Sequence, residues 1–273
     1  MNRIAVCIWV LWSAVSAAAQ GYQFQAISVP GSSSTNTAGM NNSGDVVGTY
    51  VPLGGQEGHG FLYSGGQYSD ISYPGSNSTG PQGINNTGEI VGLYFVGGVV
   101  HGLVDIAGTY STLDYPGAID TELYAVNDFG QIVGSSSAAF LCSHGSFTTI
   151  AVPGGTGTTA LAINNSEEIV GYYDDAHGHA HGFLYFNGAY TTIDFPVSSQ
   201  DTVLTGINSQ GAIFGFYTDP GFLNHAFVYQ NGRFTRLALP NLRSAYYTGF
   251  NDLEQFVGYY LTPSQIGFLA TPS

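Results

Sequence analysis

The segment YYDDAHGHAHG places three histidines at alternate positions behind two aspartates. Alternate residues share one face of an extended segment, and imidazole nitrogens together with carboxylate oxygens are common ligands of divalent metals. This segment is therefore a candidate metal site. The alternative is a solvated glycine-rich loop, since the third histidine, His181, also belongs to a repeated motif. The candidate ligands are Asp174, Asp175, His177 and His179.

A second group of reactive residue types lies in the segments that join one repeat to the next. Asp120 and Asp201 hold the same repeat position, seven residues before an asparagine that recurs in every repeat. Paired carboxylates can act as acid and base on a polysaccharide. Solvated loop acids are the alternative, because the whole chain is acidic. The candidate ligand-binding residues of these connections are Asp120, Glu122, Tyr124, Asp201, Arg243 and Tyr246.

Both groups are set into a repeat that runs through the chain. The motif GINNTGEIVG and its relatives recur six times, with their first asparagines 44, 42, 37, 44 and 43 residues apart. Each unit holds four short segments rich in β-branched or aromatic residues and separated by Gly, Asn or Asp. A period near forty with four strands per unit predicts a propeller with one blade per unit. The recurring asparagines are Asn41, Asn85, Asn127, Asn164, Asn208 and Asn251.

The two ends of the array predict a closed ring rather than a solenoid. The fourth-strand motif first appears as FQAISVPG, before any other strand, while the last unit stops after its third strand, IGFLATPS. The N-terminal strand can supply the missing strand and so remove the exposed edges of an open array. We therefore predict an all-β fold: a six-bladed β-propeller, with the N-terminal strand closing the last blade, that forms a single domain over residues 20–273.

Most of the repeated residues are expected to be scaffold. An Asn side chain can bond backbone groups across a hairpin turn, and the glycine that follows accepts a positive φ; a ring of ligands in the pore is the alternative. The glycine of EIVGLY is expected to let the neighbouring blade approach the sheet. Four histidines share one register ahead of Phe or Leu, and partnered histidines between blades are favoured over metal ligands. They are His59, His101, His181 and His225.

Residues 1–19 are typical of a signal peptide. A short basic start precedes an apolar run that ends in three alanines, and this run is short for a membrane span of ~20 residues. An uncleaved anchor helix is the alternative. Cleavage predicts a secreted protein, extracellular or periplasmic, with no later segment able to span a membrane.

Composition after residue 19 excludes several functions. Three Arg and no Lys remain against 18 acids, so nucleic acid is excluded as a partner and Schiff-base chemistry as a mechanism. The one remaining cysteine, Cys142, allows no internal disulfide and is expected to be a buried, inert thiol.

The units resemble those of the HAF-repeat family of secreted bacterial proteins. The resemblance rests on GINNxGxIVGxY, followed by HGFLY or by HAF at His225-Ala226-Phe227, and then YTTIDFPG. It covers the whole chain after the signal segment. The third and sixth units depart from it, with Ala139 and Ile266 where the other units approach the third strand through His. The resemblance implies an extracellular bacterial repeat protein and carries over no catalytic activity.

Two functions of different classes fit this pattern. The favoured one is a non-catalytic extracellular module, expected to be a monomer, that binds carbohydrate or protein. It would bind through the connection rim, the rim made by blade connections and second-to-third-strand loops, because these segments vary. The alternative is a propeller hydrolase or lyase that uses rim carboxylates on a polysaccharide. GxSxG, HExxH, GxGxxG and EF-hand motifs do not occur, and no cofactor is expected beyond a metal in the His/Asp segment.

The third unit predicts a notch in the connection rim. Only six residues separate Gly134 of its second strand from Phe140 of its third, so the loop between them cannot rise as far as its neighbours. A ligand groove is expected to open on that side, beside Asp120 and Glu122.

Overall fold

The computed structural model of the chain describes residues 21–196, 201–238, 245–261 and 265–273. These residues form 24 β-strands in six antiparallel sheets of four strands. The sheets are the blades of a ring, and the predicted six-bladed β-propeller is confirmed. Within the described ranges, no helix is long and apolar enough to cross a membrane.

Each blade places its first strand at the central axis and its fourth strand at the outer edge. In each of the first three blades, the four strands follow one another in chain order. Blade 1 is β2 (Ser32–Met40), β3 (Val46–Pro52), β4 (His59–Ser64) and β5 (Gln67–Ile71); blade 2 is β6 (Ser78–Ile84), β7 (Glu89–Val96), β8 (Val99–Ile106) and β9 (Thr109–Thr112); blade 3 is β10 (Glu122–Val126), β11 (Ile132–Ser135), β12 (Ala139–Ser143) and β13 (Ser146–Ile150).

The remaining blades follow the same order, except that the last one borrows a strand from the start of the chain. Blade 4 is β14 (Thr156–Ile163), β15 (Ile169–Asp174), β16 (Ala180–Phe186) and β17 (Ala189–Thr192); blade 5 is β18 (Asp201–Ile207), β19 (Ile213–Thr218), β20 (Asn224–Gln230) and β21 (Arg233–Arg236); blade 6 is β22 (Ala245–Phe250), β23 (Phe256–Leu261), β24 (Gln265–Pro272) and β1 (Tyr22–Ile27).

The closure of blade 6 by the N-terminal strand is also confirmed. β1 pairs antiparallel with β24 over six residues, from Tyr22 opposite Pro272 to Ile27 opposite Gly267. Aromatic side chains reinforce the pairing, since the ring of Tyr22 meets that of Phe256 edge-on at 4.9 Å. The first strand therefore contributes both backbone hydrogen bonds and core packing to the last blade.

The hydrophobic core lies between the blades. Side chains from adjacent sheets form one buried cluster at each blade junction. Each blade contributes a third-strand residue at the same repeat position. Full burial of such a side chain stabilises the fold by about 1.5–3 kcal/mol. Cys142 is buried in one of these clusters, as predicted, and burial raises the pKa of its thiol. The six equivalent third-strand residues, each at most 1% exposed, are Phe61, Leu103, Phe140, Phe183, Phe227 and Phe268.

The predicted role of the second-strand glycine is wrong. In blade 1 a Cβ at Gly48 would collide with the backbone oxygen of Asn36, which belongs to the first strand of the same blade, not to a neighbouring blade. A β-bulge between Thr37 and Gly39 turns this carbonyl toward the glycine. Close approach between blades occurs instead at first-strand glycines such as Gly83, where a Cβ would lie 2.8 Å from a backbone oxygen of blade 3.

Candidate functional site

The six recurring asparagines form the asparagine rim, the uniform rim opposite the connection rim. All six are buried, at 3–4% exposure. In blade 3, Oδ1 of Asn127 accepts the backbone N–H groups of Phe129 and Gln131, which shapes the turn as predicted. Nδ2 of the same residue donates 3.1 Å to the backbone oxygen of Asn164 in the next blade. This bond to the next asparagine recurs from Asn41, Asn85, Asn164 and Asn251.

A second polar ring lies one residue further along the turns. In it, Asn86 donates both its backbone N–H and its side-chain Nδ2 to the carboxylate of Asp128, at 2.8 and 2.9 Å. Although partial burial opposes ionisation, hydrogen bonds from Asn165 and Asn86 lower the pKa of Asp128. The ring lines a chamber of about 90 Å³ at the asparagine rim. Its polar groups bond chiefly to each other, which supports a scaffold role.

An apolar girdle surrounds the central channel beneath this chamber. Each blade contributes the last apolar residue of its first strand, at 6–8% exposure. The girdle also borders a second chamber, of about 100 Å³, on the side of the connection rim. The girdle therefore lines both chambers of the central channel. The girdle residues are Met40, Ile84, Val126, Ile163, Ile207 and Phe250.

Asp120 and Asp201 occupy equivalent positions, and both tie two blades together. The carboxylate of Asp120 accepts the backbone N–H of Val100 at 2.9 Å, while that of Asp201 accepts the backbone N–H of Ala180 at 3.0 Å. Asp120 lies just before the first strand of blade 3 and Asp201 begins the first strand of blade 5, so each bond reaches the third strand of the preceding blade. The two carboxylates thus lie at different junctions, between blades 2 and 3 and between blades 4 and 5, and do not converge on one pocket.

The other predicted connection residues are also dispersed. Glu122 accepts a 2.8 Å hydrogen bond from the hydroxyl of Tyr124. Burial is the main cause that raises the pKa of this hydroxyl, and the negative charge of Glu122 is the second. Tyr124 lines the chamber on the connection-rim side of the girdle. Tyr246 stacks on Tyr259 in blade 6, with ring centroids 5.0 Å apart. Arg243 lies outside the described residues.

The candidate metal segment is a tight turn built on one aspartate. Oδ1 of Asp175 accepts the backbone N–H groups of His179 and His177, at 3.0 and 2.7 Å, and these bonds lower the pKa of the carboxyl group. Asp174 ends β15 and pairs with Ala180 across the hairpin. Among the residues that the structure describes, no three His, Cys, Asp or Glu side chains are grouped to hold a metal ion. Metal binding in this segment stays a prediction.

The repeated histidines are partnered within their own blades. The ring of each lies over the second-strand tyrosine opposite it, with centroids 5.0–5.5 Å apart. Nδ1 of His181 lies 2.7 Å from a carboxylate oxygen of Asp194, as does Nδ1 of His101 from Asp114. In blade 5, Arg236 can only donate to Nδ1 of His225, so Nε2 carries the proton shared with Asp219.

A groove that combines aromatic and acidic side chains was not predicted. This blade 1 groove, of about 510 Å³, lies between the connection from blade 6 and the outer strand of blade 1. Tyr50 donates a 2.7 Å hydrogen bond to Oδ1 of Asp70. Burial and this carboxylate raise the pKa of Tyr50 to about 12, so its hydroxyl stays protonated at neutral pH. The groove is lined by Val29, Pro30, Tyr50, Gln67, Tyr68 and Asp70.

The residue before the connection proline differs between blade 1 and the blades in which this space is filled. Before the proline of each connection, blade 1 receives Val29, whereas blade 2 receives Tyr73 and blade 5 receives Phe195. Tyr73 stacks on the second-strand Tyr94 at 3.7 Å, and Phe195 stacks on the equivalent tyrosine of blade 5 at 4.0 Å. These aromatic rings fill the space that stays open in blade 1. The sequence signal was a valine at a position that is aromatic in three of the six connections, at Tyr73, Tyr115 and Phe195.

The backbone around this position is the same in every described junction. The N–H of the residue before the proline donates to a threonine hydroxyl of the next first strand, at 3.0–3.2 Å. The backbone of the connection is therefore constant, and the side chain at this position differs between the open groove of blade 1 and the filled junctions of blades 2 and 5. The five donor residues are Val29, Tyr73, Tyr115, Val152 and Phe195.

Blade 3 has the short second-to-third-strand turn that the sequence indicates, and the notch in the rim stays a prediction. Only three residues separate β11 from β12, and Ser136 donates its backbone N–H to the oxygen of Ala138. The open groove lies in blade 1, however, two blades away from this turn. The groove that the sequence predicts beside Asp120 and Glu122 is therefore different from the blade 1 groove.

No protein-family model matches this chain, and no curated protein matches it. Solved structures do. The SapL1 lectin, determined in complex with alpha methyl fucoside, has a TM-score of 0.57 at 13% identity over 84% of this chain and 88% of its own. A gluconolactonase of Xanthomonas campestris, XC5397, has a TM-score of 0.53 at 12% identity over 88% and 87%.

A third neighbour is the β-propeller domain of the trilobed protease from Pyrococcus furiosus, with a TM-score of 0.54 at 9% identity over 88% of this chain and 94% of its own. That domain has an open velcro topology, whereas blade 6 here is closed by β1. The likeness is one of fold. At such identities it leaves both a binding and an enzymatic role open for a propeller of this kind.

Proposed function

We propose that this protein is a non-catalytic, extracellular carbohydrate-binding propeller of the HAF-repeat type, and that it binds neutral sugars in the blade 1 groove. The main support for this proposal is that one groove combines two half-buried tyrosines, Tyr50 and Tyr68, with the exposed carboxylate of Asp70. Tyrosine offers an apolar ring face and a polar hydroxyl, which suits the mixed surface of a sugar ring.

The carboxylate of Asp70 is prepared to accept hydrogen bonds. Tyr50 holds its Oδ1, and none of the described residues donates a hydrogen bond to its Oδ2. Vicinal sugar hydroxyls can donate to this free oxygen, and hydrogen bonds to a charged group contribute about 1.5–3 kcal/mol. The groove volume of about 510 Å³ also lies in the range of small-molecule sites.

The charge of the chain supports a neutral ligand. With 18 acidic residues against four basic ones, the protein repels polyanions such as uronic-acid polymers or sulfated glycans. The SapL1 lectin, in complex with alpha methyl fucoside, is a propeller of similar fold whose ligand is a neutral sugar, and this is the chemistry proposed here.

The dispersal of the connection-rim carboxylates supports binding over catalysis. General acid and base catalysis on a glycosidic bond needs two carboxyl groups on either side of one bond. Asp120 and Asp201 instead hold backbone groups at two different blade junctions.

Isothermal titration calorimetry with the methyl glycosides of fucose, galactose, glucose and mannose tests the proposal. We expect at least one to bind, and we expect Asp70→Asn to weaken it roughly tenfold, which corresponds to about 1.4 kcal/mol. The matched control is Glu57→Gln, which removes one charge from an exposed loop of the same blade outside the groove. If none of the sugars binds, or if both variants bind as the parent does, the blade 1 groove is not a sugar site.

A further inference from the structure

Blade 4 repeats the outer geometry of blade 1 closely. The rings of Tyr185 and Tyr190 are 4.9 Å apart at 49°, against 4.9 Å and 47° for Tyr63 and Tyr68. Phe183 meets Tyr190 at 6.0 Å and 60°, where the blade 1 pair meets at 5.9 Å and 64°. The two blades therefore present the same cluster of rings.

The connection that enters each of these blades is held in the same way. The hydroxyl of Tyr190 accepts the backbone N–H of Ala151 at 2.9 Å, and that of Tyr68 accepts the backbone N–H of Ser28 at 3.0 Å. In both cases the next residue is a valine, Val152 in the connection to blade 4. The aromatic ring that fills the groove of blades 2 and 5 is replaced by a small side chain here.

Two differences separate the surface around Tyr173, Tyr190 and Thr192, here called the blade 4 groove, from the groove of blade 1. Val152 is buried whereas Val29 is half-buried, and one outer-strand residue changes. Blade 4 carries Thr192 where blade 1 carries Asp70, and its hydroxyl lies 3.1 Å from that of Tyr173. A neutral hydroxyl replaces the carboxylate, so polar contacts to sugar hydroxyls remain while the stronger charged acceptor is lost. The blade 4 groove is expected to bind the same class of ligand with lower affinity.

We propose that the junction between blades 3 and 4 is a second site for neutral carbohydrate, built around Tyr173, Tyr190 and Thr192. This proposal rests on the proposed function of the blade 1 groove. Blades 1 and 4 are three positions apart in a ring of six, so the two sites lie on opposite sides of the molecule. The protein is then a bivalent module, able to link two glycan chains or to gain avidity on one surface.

Filling each groove separately tests the second site. Tyr73 shows that a tyrosine at this position stacks on the second-strand tyrosine, so Val29→Tyr should close the blade 1 groove and Val152→Tyr the blade 4 groove. With the methyl glycoside that binds the parent best, we expect a tight and a weak site in the parent. We expect only the weak site in Val29→Tyr, only the tight site in Val152→Tyr, and none in the double variant.

Amide chemical shifts provide a readout that does not depend on heat of binding. In Val29→Tyr, millimolar methyl glycoside should shift the amide signal of Ala151, whose N–H bonds Tyr190. Thr192→Asp should tighten the weak site toward the affinity of the blade 1 groove. No shift in Val29→Tyr, with binding intact in the parent, overturns the second site but leaves the proposed function standing. Absence of binding by the parent overturns both.

Discussion

The side-chain amide of Asn251 donates a 3.1 Å hydrogen bond to the backbone carbonyl of Asn41, which is 210 residues away in the chain. This bond joins blade 6 to blade 1 on the asparagine rim, next to the axis. β1 joins the same two ends of the ring at the outer edge of blade 6. The closure is therefore held at both its inner and its outer radius.

Removal of the Asn251 side chain should weaken the whole fold. Its Oδ1 also accepts the backbone N–H groups of Leu253 and Gln255, so Asn251→Ala leaves several buried groups without partners. We expect a loss of about 2–4 kcal/mol in the free energy of unfolding, measured by urea denaturation. The control is Asn77→Ala, at an exposed connection residue. Equal stability of the two variants would contradict a structural role for the asparagine ring.

Deletion of residues 21–27 should prevent closure of blade 6. β24 would then expose an unpaired edge, and Phe256 and Phe268 would lose aromatic contacts with Tyr22 and Phe24. We expect aggregation or a broad, non-cooperative melting transition by circular dichroism. A synthetic peptide of residues 21–31 added in trans should restore a cooperative transition. A truncated protein that stays monomeric and melts like the parent would rule out this closure.

Gly92→Ala should destabilise the protein far more than Gly80→Ala. A Cβ at Gly92 would collide with the backbone oxygen of Gly80, whereas a Cβ at Gly80 meets its nearest neighbour, a Leu93 side-chain carbon, at 3.5 Å. Neither residue is among the glycines with positive φ, so the pair isolates the steric effect. We expect a melting temperature several degrees lower for Gly92→Ala only. Similar melting temperatures would show that the β-bulge between Pro81 and Gly83 can shift to accommodate the new methyl group.

His181 should titrate above the ordinary range of histidine. Burial opposes its charged form, but Asp194 at 2.7 Å and Asp175 at 3.6 Å raise its pKa. A raised pKa means that the ion pairs stabilise the fold below the unfolded-state pKa, and that this contribution is lost as pH rises through the folded-state pKa. Imidazole ¹H–¹⁵N spectra over pH 5–9 measure the titration directly. Asp175→Asn should lower the pKa of His181, and an unchanged value would exclude the pairing.

The blade count and the closure could be predicted because they depend on local patterns. Turn residues at a fixed period define the hairpins, and a fourth-strand motif ahead of the first unit indicates where the chain closes. The bond from Asn251 to Asn41 could not be predicted in this way. Which backbone group each amide reaches depends on the distance between neighbouring turns, and that distance follows from the packing of whole blades.

The blade 1 groove was missed because its residues are ordinary members of the repeat. Tyr50 and Tyr68 have counterparts in other blades, and what distinguishes blade 1 is the combination of Val29 with Asp70. A valine in place of an aromatic residue is not a recognisable motif. Its meaning depends on what Tyr73 and Phe195 fill in three dimensions. Asp120 and Asp201, in contrast, were conspicuous in the sequence but tie neighbouring blades together.

The two ends of the described chain lie side by side at the outer edge of blade 6. The backbone N–H of Ser273 donates a 3.1 Å hydrogen bond to the oxygen of Gly21, much as a hairpin turn joins the third and fourth strands of the other blades. The six units therefore have no intrinsic first member, and the architecture is circular. A permuted chain with these ends linked, and new ends opened at the Asn187-Gly188 hairpin, would keep every strand pairing intact.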